Sequence, residues 1–248
     1  MSEMHSELSK RFVLSGESMD RKIHYINKIA QMILVLGMAF DVSAQTTDLK
    51  VYQIDPAQSE LVFSIEAKCR MLPGGYTVEG HFSQLSGKID YNETDFSSSK
   101  IQVEVPVSTI KTETKNASGC AKVMPGDDAT RDEHLRTDDF FDVPNFKTAS
   151  FKSLGKIQAI APNVYALKGR LTIRGMPQTI TLELHPVKKY KDNKNQNHII
   201  FEAQTALDRT QFGVGPASGD ITGLGSAMIA VSNELVLSIT IDAYEARQ

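Results

Sequence analysis

Tryptophan is absent from this 248-residue chain, and cysteine occurs only twice. Two cysteines cannot by themselves fill a four-ligand zinc site or build the dense disulfide framework of a small secreted domain. Excess positive charge is lacking as well. The chain carries 27 Lys and Arg against 30 Asp and Glu, a formal net charge of -3. Nucleic-acid binding relies on clustered excess base, so no nucleic acid is expected as a partner. No serine stands in a G-x-S-x-G elbow, which removes the usual hydrolase signature. Gly213-Val214-Gly215 and Gly223-Leu224-Gly225 follow no strand–helix unit and read as a mobile loop rather than a phosphate cradle. His81, His185 and His198 fall singly on outward strand positions with no metal-ligand spacing. They are expected to be exposed, and no metal site is expected.

What is present begins with an address. Ala30 to Phe40 is a short apolar run preceded by Arg21, Lys22 and Lys28 and followed by Val42-Ser43-Ala44-Gln45. A basic stretch, an apolar core and small residues at -3 and -1 of a cleavage after Ala44 make residues 1–44 read as a secretory signal peptide. The run falls short of the about 20 residues that a membrane-spanning helix needs. Glu3, Glu7 and Glu17 suit an export signal badly, so Met19 is the expected start of translation. The expected mature unit is 45–248. It holds no second long apolar run, so no integral membrane segment is expected in it, and its expected location is the periplasm or outside the cell.

After residue 45 the chain is written in period two, the mark of strands with one buried face. Leu61, Phe63 and Ile65 alternate with Val62, Ser64 and Glu66; Val78, Gly80 and Phe82 alternate with Thr77, Glu79 and His81, and Ile89 and Tyr91 follow a Ser86-Gly87 turn. The pattern returns at Ile101 to Val107, Tyr165 to Ile173, Ile180 to Leu184, Ile199 to Leu207 and Leu235 to Ala243. About eight such strands in one continuous unit predict an all-β fold, an eight-stranded antiparallel barrel, with one short helix over 130–139. Pro106, on the outward face, predicts an edge or a bulge. Inward positions mix small residues (Gly80, Ala149, Gly169, Ala203, Thr205) with large ones (Phe63, Phe82, Phe151, Tyr165, Phe201). That mixture fits either tight interdigitation or a lumen left open for a ligand.

The segment Arg131-Asp132-Glu133-His134-Leu135, continuing to Phe140-Phe141-Asp142-Val143, resembles the signature of the YceI-like family of exported polyisoprenoid-binding proteins. Five further segments agree in order: Tyr52 to Phe63, Val78 to Gly87, Phe151-Lys152-Ser153, Gly169 to Gly175 and Asp208 to Gly213. The resemblance spans residues 51 to about 245. It implies a lipocalin-like barrel that holds an isoprenoid or quinone-like lipid, a long-chain apolar molecule, in its lumen. No cofactor is implied beyond such a lipid. By carry-over Phe63, Phe82, Phe151, Leu171 and Phe212 line the lumen, and Arg131, His134 and Arg209 are the headgroup candidates. Asp132 and His134, two apart, do not share a helix face and cannot form a simple acid–base pair there. A structural role, with Asp132 favouring the helix dipole and Arg131 or His134 tying the helix to the barrel, competes with a headgroup site. No catalytic residue is assigned. An enzyme acting on the lipid with His134 as base, and a closed barrel with a structural or signalling role, stay as rival readings. A homodimer is a further expectation.

Two positions depart from the family pattern: Tyr52 stands for its opening tryptophan and Gln58 for its strand-start histidine. Cys69 and Cys120 fall in the two segments that diverge most, 68–75 and 112–131. In an exported protein this suggests a Cys69–Cys120 disulfide, which would contribute roughly 4 kcal/mol in the chain-entropy model. The alternative is two free thiols.

Overall fold

The computed structural model describes residues 48–70, 73–119, 128–185, 188–215 and 229–247. The expected leader lies outside them, as do Cys120 and residues 216–228 of the glycine-rich stretch.

The period-two segments pair into one antiparallel sheet that closes on itself. Its strands are β1 (Leu49–Ile54), β2 (Glu60–Cys69), β3 (Gly74–Phe82), β4 (Ser86–Asn92), β5 (Lys100–Pro106) and β6 (Lys111–Gly119). They continue with β7 (Thr148–Ser153), β8 (Gln158–Ala161), β9 (Val164–Ile173), β10 (Met176–Leu184), β11 (Lys188–Lys191), β12 (Asn197–Asp208) and β13 (Ile229–Glu245). Three pairs are halves of long bent strands. β1 and β2 lie end to end along β13, with Ile54 opposite Ala243 and Glu60 opposite Thr240. β4 and β3 then pair with β1 and β2, and β5 and β6 pair with β4 and β3. With each bent strand taken as one member, the ring has the eight members expected. It closes where β12 runs along β13 from His198–Tyr244 to Asp208–Glu234. β8 and β11 are short outer pieces on β9 and β12.

The bends have local causes. In the first, the Asp55 carboxylate accepts from the Ala57 amide, an Asx turn. Pro106 ends β5 just before the 3-10 turn of Val107–Thr109, a position where its missing N–H costs no ladder bond. The expected turn at Ser86-Gly87 falls earlier, at 83–85, where Gln84 takes φ 60. Gly87 instead opens β4 with φ 135, and a Cβ there would sit 2.1 Å from the Gln102 carbonyl oxygen. Arg174 (φ 49) and Gly175 (φ 69) make the two-residue turn between β9 and β10, the type I′ geometry that suits strand twist.

The helix α1 (Asp128–Leu135) is shorter than the expected 130–139 and starts two residues sooner. It opens on an acid, favourable to the helix dipole, and beyond Leu135 the chain tightens into turns. α1 packs against β6, the half-strand that continues past the β5–β7 pairing.

The two ends of the barrel differ. At one end, here the floor, β1 begins, β4 finishes and β12 begins. An aromatic cluster fills it: Phe96 packs on Tyr165, Phe201 and Tyr91, and Tyr52 meets Tyr91 edge to face. Ile199, near the start of β12, is wholly buried. The other end, the rim, carries α1, the turns after it and the segment 209–215.

Candidate functional site

Between floor and rim lies a cavity of about 690 Å³. Such a volume falls within the roughly 300–1,000 Å³ of small-molecule sites. Its wall is built from inward positions of nearly every ring strand, among them Phe63, Val78, Ile101, Leu182, Ala203 and Leu237. The space does not come from the inward glycines. At Gly80 a Cβ would lie 2.2 Å from the Phe63 ring, and at Gly169 one would lie 2.1 Å from the Phe151 ring. Each glycine lets an aromatic ring lie flat across the neighbouring strand, so the wall is smooth where two side chains would otherwise collide. The mixture of small and large residues therefore makes tight packing within the wall and leaves the middle open.

Polar groups on the wall are few, and its charged or ionisable ones gather at the rim: Arg131, His134, Arg209 and the Tyr76 phenol, with no carboxylate among the described lining residues. Thr130 is exposed and also lines the cavity, so the space reaches the surface beside α1.

The signature residues hold the rim together. Asp132 is buried, and its Oδ1 accepts from the Thr112 amide (2.8 Å) and the Thr112 hydroxyl (2.6 Å). It thereby satisfies a donor on the outer edge of β6. Asp132 is the fifth residue of α1, so its part is this edge contact and not the expected service to the helix dipole. Arg131 donates to the hydroxyls of Thr112 and Thr114 and to the Asp128 carboxylate. Burial alone would raise the Asp128 carboxyl, but the Thr114 hydroxyl and Arg131 hold it below the usual carboxylate range. Arg136 donates to the carbonyls of Ser108 and Ile110 at the bend of the third long strand. His134 Nε2 lies 2.9 Å from Asp139 at the surface, with its ring edge-on to Phe140.

Of the five residues expected in the lumen, Phe63, Phe82, Phe151 and Leu171 lie on the cavity wall. Phe212 does not. It is buried in the 3-10 turn Arg209–Phe212 that follows β12, against β10 and β13, because the chain leaves the wall at Asp208. The headgroup candidates Arg131, His134 and Arg209 all border the cavity. Arg209 is buried, and its guanidinium donates to the carbonyls of Ser232 and Val214. Desolvation pulls its pKa below the usual arginine value. Gln58 is exposed in the first bend, away from the cavity, and Tyr52 is buried in the floor. Cys69 is disulfide-bonded; Cys120, the sequence's other cysteine, lies outside the described residues.

One polar cluster was not legible. His198 is buried rather than exposed, its Nδ1 2.6 Å from Asp242 Oδ1 on the outer face of β12 and β13. β11 covers that face: the Tyr190 ring lies 4.7 Å from the imidazole, and its hydroxyl donates to Asp242 Oδ2. Desolvation, with Asp242 second, pushes the Tyr190 phenol up to about 12. On the other face of β11, Lys189 sits 4.8 Å above the Tyr91 ring and 3.0 Å from Glu93, so the same strand straps the floor. Strand parity placed His198 outward correctly but could not show that β11 folds over it.

The profile of the YceI-like domain matches residues 52–243. A UPF0312 protein of Vibrio parahaemolyticus is 28% identical over 182 residues, covering 73% of this chain and 85% of its own length. One from Serratia proteamaculans is 29% identical over 195 residues, covering 75% and 91%. Among solved structures, Burkholderia cenocepacia BcnA superposes with a TM-score of 0.52 at 20% identity, over 76% of this chain and 98% of that one. A Campylobacter jejuni YCEI protein gives 0.50 at 22%, over 68% and 85%. At these identities the structural likeness concerns the fold alone.

Proposed function

The chain belongs to the YceI-like family, and from that premise we propose that it is an exported carrier that holds an isoprenoid-type amphiphile, polyprenyl or quinone-like, in its lumen. The observation that carries this reading is the cavity of about 690 Å³, apolar over its length and basic only at the rim. A polyprenyl chain has no hydrogen-bonding groups, so its site needs apolar area and little else. At ~25 cal/mol per Å², a few hundred Å² of buried chain contributes several kcal/mol before the cost of ordering it. If each carbon group takes about the ~30 Å³ that water takes in the liquid, the space admits a chain of roughly twenty carbons. Arg131, His134 and Arg209 would then meet the headgroup, and basic donors at the mouth favour one rich in acceptor oxygens, such as a quinone or a phosphate. The periplasm is the setting this reading assigns, on the strength of the leader-like residues 1–44.

Native mass spectrometry of protein purified from its own cells, followed by organic extraction, tests the proposal. The expected result is a complex heavier than the chain by one lipid, released as an isoprenoid-type molecule. A barrel that emerges empty and takes up no apolar probe would overturn it in favour of a structural or signalling module. His134→Ala is expected to leave uptake of an apolar probe nearly intact, since the histidine touches only the rim.

A further inference from the structure

From Val143 to Leu182 the chain contains no aspartate or glutamate, yet it carries Lys147, Lys152, Lys156, Lys168, Arg170 and Arg174. Forty consecutive residues of one sign stand out in a protein whose net charge is -3. These residues form β7, β8, β9 and most of β10, one contiguous sector of the barrel wall. Lys152 stands directly across from Arg170, and Lys168 follows two residues away on the same outward face. Like charges placed directly opposite destabilise a strand pair. Among the described residues, no carboxylate lies within ion-pair distance of Lys147, Lys152, Lys168 or Arg170. Lys156 reaches Asp95 at 3.8 Å, with both side chains largely in water.

Two exposed apolar residues frame the cations. β8 carries Ile160, 59% exposed on a strand whose four residues all face solvent, and β10 opens on Met176, 44% exposed. The ring places β2 and β3 four members away from β9 and β10, on the far side of the barrel. The outward residues there include Glu60, Glu66 and Glu79. On the β7–β10 sector Lys152, Lys168 and Arg170 therefore stand side by side with no carboxylate between them.

We propose that the β7–β10 sector is a docking surface for an anionic lipid bilayer, with the cations against the headgroups and Ile160 of β8 reaching between them. Charge complementarity identifies the occupant. A protein interface centres on an apolar patch with a polar rim. Here the order is reversed, with charge in the middle and single apolar residues at the two ends, which is how a surface-bound protein meets a membrane. This inference does not depend on what fills the lumen.

Co-sedimentation of the full chain with vesicles tests it. Phosphatidylcholine vesicles containing phosphatidylglycerol are expected to bind the protein at low salt and release it at high salt, and pure phosphatidylcholine vesicles are expected not to bind it. The triple variant Lys152→Gln, Lys168→Gln, Arg170→Gln should weaken binding about a hundredfold, following the usual contribution of each cation near an anionic surface. Ile160→Ser should weaken it severalfold. Lys68→Gln, Lys111→Gln, Lys115→Gln removes the same charge from β2 and β6, outside the β7–β10 sector, and should change it less than about twofold. Equal losses in the two triple variants, or a wild type that ignores anionic vesicles, would overturn the proposal. So would a wild type that binds polyglutamate but no vesicle, which would point to an acidic protein instead.

Discussion

The floor and the rim of this barrel are held by different physics. The floor is closed mainly by packed rings and aliphatic side chains, with the buried Asn92 and Ser99 bonded beside them and β11 strapped across the outside. The rim is held by charged hydrogen bonds from α1 to a half-strand, by arginines donating to carbonyls, and by the disulfide at Cys69. Apolar packing fills space, whereas hydrogen bonds fix geometry across a gap without filling it. A barrel meant to remain open at one end can stabilise that end only in the second way. The difference explains why the family signature is polar although the cavity it borders is apolar.

The sharpest way to break this comparison is to make the same deletion in the two settings. Ile199 is wholly buried and off the cavity wall, so Ile199→Ala should open a new void and destabilise by about 4 kcal/mol. Leu237 lines the existing cavity, where one side already lacks packing partners, and Leu237→Ala should cost about 2 kcal/mol. Urea denaturation of the pair reads the difference. Equal losses would mean that the cavity is filled by packed side chains in solution and that the two regions are alike.

The next effect is at the rim. Asp132→Ala removes the acceptor from the buried Thr112 amide and hydroxyl, and an unpaired buried donor costs about 2 kcal/mol. Amide exchange should localise the loss to β6 and α1 and leave the floor strands protected. If protection falls evenly over the barrel, the rim is not an independently held region.

Period two made most of the ring legible, because each wall strand buries one face and wets the other. The bends were legible only in part: a turn after Phe82 and an irregularity at Pro106 were expected, the first three residues too late. At residues 83–85 the inward positions shift from even (Val78, Phe82) to odd (Ile89, Tyr91), which marks a break, but a period of two does not say which way the chain bends there. The wall aromatics Phe63, Phe82 and Phe151 followed from inward parity, as did the glycines beside two of them. Phe212 did not, since it lies past the end of β12, where parity no longer applies. Asp132 stood in the signature, but its partner Thr112 is twenty residues away on another element, and no local pattern connects them. The cationic sector was present in the sequence as forty residues without an acid. It gains meaning only when β7 and β9 pair and set Lys152 against Arg170.

The smallest expected effect sharpens the floor's side of the comparison. Tyr190 donates to Asp242 from β11, and its phenol is raised from 10.0 to about 12, chiefly by desolvation. A group whose pKa is higher in the folded state than in the unfolded one stabilises the fold fully below the unfolded value. That contribution is lost as pH rises through the folded value. The window is therefore pH 10 to about 12. Because Tyr190 is 39% exposed, solvent screening limits the contribution to about 1 kcal/mol. Tyr52 and Tyr76 are raised by desolvation as well, so the wild type loses stability in alkali for more than one reason. The informative quantity is the difference between wild type and Tyr190→Phe in melting temperature. It should be clear at neutral pH and shrink towards zero as pH passes 12, because the wild-type hydroxyl then no longer donates to Asp242. A gap that stays constant across that range would show that the strap is held by ring packing on His198 rather than by the hydroxyl, making the outside of the floor as apolar in its energetics as the inside.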